Sequence, residues 1–464
     1  MFKNISYFVI TSTLLLVYSC SPTQKIAALK PEPDTSTAII YESETSFISI
    51  PVAIKLKDIA TQTNKILNGV IYEDNAITDD NIQMKIWKQA PIQIKDENGK
   101  IKTILPLKIQ AKVRYGTDAL GISMFDTREI NMNGVVTLIS EVGLTNWKLN
   151  TNTTLKSLDW QESPTVNIAG KSVTITYLIN PAIRLFKSKL EKSIDDAIKK
   201  SLDFKPNVLD ALDKISNPVE MSNAYDSWLR VVPLEMYATN AVLKKEVITM
   251  DMGLKCNMET FIGQKPKNSF DRDKIVLKPV TKMPDKITAN IVAISTYADA
   301  SKVINKNFQG QEFGSGSKKV KVQNVALWQK GGKMIIALDL LGSLNGTIYL
   351  SGYPQYNEQT KEIYFDQLDY VLDTKSRLIK TANWFAQGYI LRKIQESCRY
   401  SIQPNLEEGK QKMLVYLNNY SPMPGVFING NMDDIVFKKI QLTNSAILAF
   451  VTVNGKIKVN IDGL

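Results

Sequence analysis

The chain has 464 residues, 57 Lys and Arg against 46 Asp and Glu, a formal charge of +11, and no histidine. Apolar (44%) and charged (22%) fractions are ordinary, which excludes wholesale disorder and collagen-like structure. Without imidazole there is no Ser-His-Asp or Cys-His nucleophile and no His-ligated zinc hydrolase, and three cysteines cannot make a Cys₄ zinc site. A hydrolase would need a carboxylate dyad or a Ser-Lys pair. No motif points to one, so the chain is read as non-enzymatic, with no cofactor and no metal.

The first twenty residues read as an export address. Lys3 precedes an apolar run from Ile5 to Tyr18, and Val17-Tyr18-Ser19-Cys20 follows. A positive start, a short apolar core and a small residue before the cut make a secretory signal over residues 1–19. The run is shorter than the ~20 residues that span a bilayer. The position of Cys20 resembles a bacterial lipobox, in which the cysteine becomes the first mature residue and carries the lipid anchor. Removing residues 1–19 removes only Lys3 and leaves +10. Residues 20–46 follow, with Pro22, Pro31 and Pro33 among Ser and Thr, and are expected to form a flexible tether.

The body reads as long strands with few helices. From Ile101 to Tyr115, apolar residues hold one parity and Lys102, Lys108, Lys112 and Arg114 the other. From Ile248 to Ile262, Met250, Met252, Leu254, Cys256 and Met258 share one face. One apolar and one wet face mark antiparallel sheet. Gly331-Gly332 and Asn454-Gly455 are expected hairpin turns. A long helix is expected over 181–202, with Ile183, Phe186, Leu190 and Ile194 on its stripe and Glu191 and Asp195 wet. A second is expected over 375–400, with Leu378, Ala382, Phe385, Tyr389, Ile390, Ile394 and Cys398 on its stripe. Gly314-Ser315-Gly316-Ser317-Lys318-Lys319 lacks the spacing of a phosphate loop and opens a strand, so it reads as a surface loop. Cys256 and Cys398 read as separate buried thiols.

The chain also repeats itself. Ile50–Gly69 and Ile291–Gly310 align without gaps at an offset of 241, with identities at Ile50/Ile291, Asp58/Asp299, Asn64/Asn305, Lys65/Lys306 and Gly69/Gly310. Each copy reads as a strand and then a short helix ending near glycine. Similar element order follows, which divides the body into lobes at 47–280 and 281–464.

The start FISIPVAIKLKDIATQTNKILNGVIYED, the lipobox and the repeat resemble a family of uncharacterised Bacteroidota lipoproteins, similar in turn to the tubular lipid-binding (TULIP) superfamily. That resemblance implies an α+β fold of two duplicated lobes, each a long curved antiparallel sheet wrapped around a long helix and enclosing an apolar tube. The expected partners are a lipid or other apolar ligand and the membrane, with no nucleic acid. Expected lining residues are Met250, Met252, Leu254, Met258, Ile183, Phe186, Leu190, Ile194, Leu378, Phe385 and Tyr389. The expected place is the outer membrane, on its periplasmic side. The other reading is a structural surface lipoprotein with filled lobes.

Overall fold

The computed structural model describes residues 23–461 except 36–38, 80, 120–121, 162–164, 169–170, 175, 202, 223–225 and 285. The signal segment and Cys20 lie outside the described residues. Strands dominate and helices are few. β1 (Gln24–Lys25) precedes β2 (Ser46–Lys55) and α1 (Leu56–Ile66). Next come β3 (Val70–Asp74), β4 (Ile82–Lys88), β5 (Gln93–Glu97), β6 (Lys100–Ala119), β7 (Ile122–Thr145) and β8 (Lys148–Trp160). A small hairpin, β9 (Thr165–Ile168) and β10 (Lys171–Thr174), leads to α2 (Thr176–Ser201) and α3 (Lys205–Ser216). Then follow β11 (Val219–Ser222), β12 (Ser227–Ala238), β13 (Val242–Lys244), β14 (Val247–Ile262) and β15 (Leu277–Pro279).

The second half opens with β16 (Ile287–Thr296) and α4 (Tyr297–Phe308). It continues through β17 (Glu312–Ser315), β18 (Lys318–Lys330), β19 (Lys333–Gly342), β20 (Leu344–Asn357) and β21 (Glu362–Tyr370). Three short helices follow, α5 (Leu372–Thr381), α6 (Asn383–Ala386) and α7 (Tyr389–Ser397), then β22 (Tyr400–Ser401) and α8 (Gln403–Val415). The chain closes with β23 (Tyr420–Met423), β24 (Val426–Met432), β25 (Val436–Leu442) and β26 (Ala446–Ile461).

Three large sheets result. In the first half of the chain, called the first lobe below, a sheet runs β3-β4-β6-β7-β8, with β5 also on β6. The second lobe's runs β17-β18-β19-β20-β21-β22, with β1 added on β20. The central sheet runs β11-β12-β14-β16-β2-β26-β24-β23 and takes strands from both halves of the chain. Its registers repeat at fixed offsets. Met252 lies opposite Ile50 across β14 and β2, and Val451 lies opposite Ile291 across β26 and β16. Thr260 pairs in parallel with Ala293, and Val459 with Val52. An offset of 241 carries β2 onto β16 and one of 199 carries β14 onto β26, for both kinds of pair. β2 and β16 meet at Phe47 and Thr288, themselves 241 apart.

The long alternating strands are as expected: the inward residues Ile101, Leu105, Leu107 and Ala111 of β6 are fully buried. Gly331-Gly332 makes the β18–β19 turn, both residues at positive φ, and Gly316-Ser317 is the turn between β17 and β18, with Lys318 and Lys319 opening β18. Asn454-Gly455, however, is no hairpin. β26 runs straight through it, with Gly455 opposite both Ile287 and Met432. A Cβ at Gly455 would sit 2.4 Å from the Asn431 carbonyl oxygen, so this glycine permits close strand approach rather than a turn.

The second expected long helix is also broken. Ala382 leaves helical geometry at φ −145°, ψ 64°, and Gly388 adopts the left-handed φ of 83°. Glycine takes that conformation without the Cβ clash that other residues meet. Of the expected stripe, Leu378, Ala382, Phe385, Ile390 and Ile394 are buried in the core, while Tyr389, just past the break, turns to solvent. Tyr370 donates its hydroxyl to the carbonyl of Phe385 at the break, 3.2 Å away.

In the first lobe the long helix is continuous and starts at Thr176, earlier than the sequence suggested. It packs on β8, α1, β3 and β4. Glu191 and Asp195 are not wet. Glu191 accepts from Leu155 N–H (2.6 Å) and Asp195 from Thr153 N–H (3.3 Å) and the Thr151 hydroxyl (2.5 Å). These carboxylates cap β8, which ends the sheet order and would otherwise present unpaired backbone donors.

The segment before β2 is not a free tether. β1 pairs in parallel with Leu344–Asn345, and Ile26 is buried in the second lobe's core. Leu29 N–H donates to Asp373 (2.6 Å), and Trp328 Nε1–H to the Pro31 carbonyl (2.8 Å). Asp34 accepts from Gly331 N–H (2.7 Å) and pairs with Lys330 (3.3 Å). Tyr41 then donates to Glu259 on the central sheet. Composition misses this docking because each contact is one anchor residue set among Pro, Ser and Thr.

Candidate functional site

The expected lining residues fall in two different places. Phe186, Leu190 and Ile194 on α2 are packed into the first lobe's core against the inner faces of its sheet and α1. The side chain of Ile183 lies outside the described residues. Met252, Leu254 and Met258 are buried on β14, in the central sheet, while α2 packs chiefly on β8. The methionine face of β14 and the α2 stripe belong to one buried apolar cluster. Met250 borders a groove of about 770 Å³ on the central sheet, shared with Val52, Asp251, Phe427 and Lys458.

An apolar cavity of about 400 Å³ lies in the second lobe. Ala300, Ile304 and Phe308, one face of α4 at a spacing of four, form one wall. Val325, Leu327, Met334, Ile336 and Leu338, from the inner faces of β18 and β19, form the floor. Ile363 and Phe365 of β21, with Ile394 and Cys398 at the end of α7, form the opposite wall, and Ile440 and Ile447 close it from the central sheet. Leu378 and Phe385 lie behind this wall in the core, whereas Tyr389 is 53% exposed.

Polar groups gather at the edges. Asn307 and Gln311 stand at one rim, joined by a hydrogen bond from Gln311 Nε2–H to the Asn307 carbonyl (2.8 Å). Ser397, Arg399 and Tyr400 stand at the other. The Arg399 guanidinium reaches Glu362 at 3.6 Å and lies over the Tyr364 ring. Burial pushes the Cys398 thiol up to about 12, so it stays protonated and serves as soft wall rather than nucleophile. An apolar interior with a few polar groups at the mouth suits an amphiphile whose tail is buried and whose head stays wet.

The family described as Domain of unknown function (DUF4403) matches residues 44–461. The chain belongs to that family. No curated protein matches. A solved structure titled "Crystal structure of lipopolysaccharide binding protein" is similar over 90% of this chain and 99% of that one, at 9% identity and a TM-score of 0.26. A likeness of that size says nothing about what this member of the family binds.

The sequence did hold a signal for the cavity. At the offset of 241, Ile59 of α1 corresponds to Ala300 of α4 and Leu67 to Phe308. Ile59 is fully buried and fills its lobe, whereas alanine at 300 leaves space. The stripe Ala300–Ile304–Phe308 and the alternation Met334–Ile336–Leu338 were both there to be read.

Proposed function

We propose that this chain is a non-enzymatic envelope lipoprotein, anchored through Cys20, that takes an acyl chain or similar apolar ligand into the second lobe. The observation that carries this reading is the cavity of about 400 Å³ walled by α4, α7 and the inner faces of β18, β19 and β21. Its volume falls in the range of small-molecule pockets, ~300–1,000 Å³. The two halves are further read as copies of one unit. The registers that interconvert at offsets of 241 and 199 support that reading, because a local two-fold through Phe47 and Thr288 generates them.

The test is Ala300→Trp, with uptake of a fluorescent acyl probe and thermal melting as readouts. Tryptophan fills the space between α4 and β18, so probe uptake falls while melting temperature holds or rises. Leu190→Trp in the filled first lobe overpacks it and costs ~1–3 kcal/mol while sparing uptake. No uptake by the parent chain, or equal uptake by the Ala300→Trp variant, overturns the carrier reading.

A further inference from the structure

Where the N-terminal segment joins the second lobe fixes which end of the molecule meets a membrane. Gln24 N–H donates to the Ser343 carbonyl (3.3 Å), and Ser343 N–H donates to the Lys319 carbonyl (2.9 Å). β1 runs parallel to β20, so the chain before Gln24 enters from the end where β20 starts, β19 finishes and β18 begins. Cys20 is four residues before Gln24. At ~3.6 Å per residue, a four-residue link reaches at most about 14 Å.

The surface there has the chemistry of a membrane contact. Lys318, Lys319 and Lys321 are exposed at the start of β18. Leu341, opposite Lys321 in the β18–β19 register, is 52% exposed. Glu312 is the counter-charge, opposite Lys321 and 3.8 Å from Lys319, which leaves the hairpin positive. Screening at physiological salt limits such charges to a reach of about 8 Å, so they act on a membrane only if something holds them close. A four-residue link does so, whereas a free tether would not. β17 joins this end to the cavity, since Phe313 lines it and Glu312–Ser315 pair with the lysine end of β18.

We infer that the hairpin end of the second lobe, with Lys318, Lys319, Lys321 and Leu341, rests on the anionic lipid surface to which Cys20 is anchored. This inference rests on the anchor in the proposed function, and the experiment separates the two. The full lipidated chain carrying Leu341→Cys, labelled with a fluorophore, is reconstituted in phosphatidylethanolamine–phosphatidylglycerol vesicles. A second sample carries the label at Asn98→Cys, in the β5–β6 turn of the first lobe. Spin-labelled headgroup lipid should quench the label at 341 several-fold more than the label at 98. Reversing Lys318, Lys319 and Lys321 to Glu should bring the two to one level while the chain still floats with the vesicles. Flotation with equal quenching at 341 and 98 overturns the orientation and leaves the anchor standing. Failure of the wild-type chain to float removes both.

Discussion

Asn305 on α4 donates from its side-chain amide to the Val325 carbonyl and accepts from Val325 N–H, both at 2.7 Å. Asn64 on α1 does the same to Ile92, at 2.9 and 2.7 Å. One amide thus imitates a strand neighbour and locks each short helix to backbone beneath it. Asn305→Ala leaves a backbone donor and acceptor part-buried without partners, at a cost of ~1–3 kcal/mol. Chemical denaturation should show that loss, and Asn305→Asp should recover only the accepting half. The residue was legible, since it is one of five identities between the repeats. Its role was not, because the partners lie 20 and 28 positions away on elements that sequence cannot place. Asp58 and Asp299 show the converse. Asp299 N–H is capped by Thr296, whereas α1 starts after Lys55 with no side-chain cap, so an identity in sequence does not guarantee an identical bond.

Among elements, periodicity foretold the strands and misjudged where helices stop. The stripe over 375–400 has the spacing of one helix, and a glycine inside it reads as a tolerated flaw. The tertiary structure instead uses Gly388 to re-aim the chain, which no periodicity reveals. The expectation of wet carboxylates on α2 failed for a related reason. Glu191 and Asp195 fall on the polar side of the stripe, but the end strand of a sheet lies beside them and supplies donors. Replacing both with Ala strips β8 of its caps while the apolar stripe stays intact. Each lost charge-assisted bond to backbone should cost ~1.5–3 kcal/mol. The exposed strand should also raise aggregation in light scattering at temperatures below the melting point. If the double variant stays monomeric and melts as the parent does, the edge is protected by something else.

At the scale of the molecule, the chain's ends are not where sequence order would leave them. β2 sits mid-sheet beside the C-terminal β26, and the segment before it belongs to the second lobe. The segment is held by few groups, so it should open below the global unfolding energy. Ile26→Ala removes its buried anchor in the second lobe's core and should release that end, at the low end of the ~2–5 kcal/mol for such changes because Ile26 is at the core's fringe. The release should also depend on pH. The Gly331 N–H bond, with help from Lys330, holds the Asp34 carboxyl below its usual value. A carboxylate with a depressed native pKa contributes stability above its unfolded value and loses it as pH falls through the native one. Hydrogen exchange at Gly331 N–H, corrected for its intrinsic rate, should therefore be slow at neutral pH and become fast in acid. In Asp34→Ala it should be fast throughout. Slow exchange in that variant at neutral pH would mean that Asp34 does not hold the strap, and that β1, Ile26 and the bonds at Leu29 and Pro31 keep the segment on the second lobe.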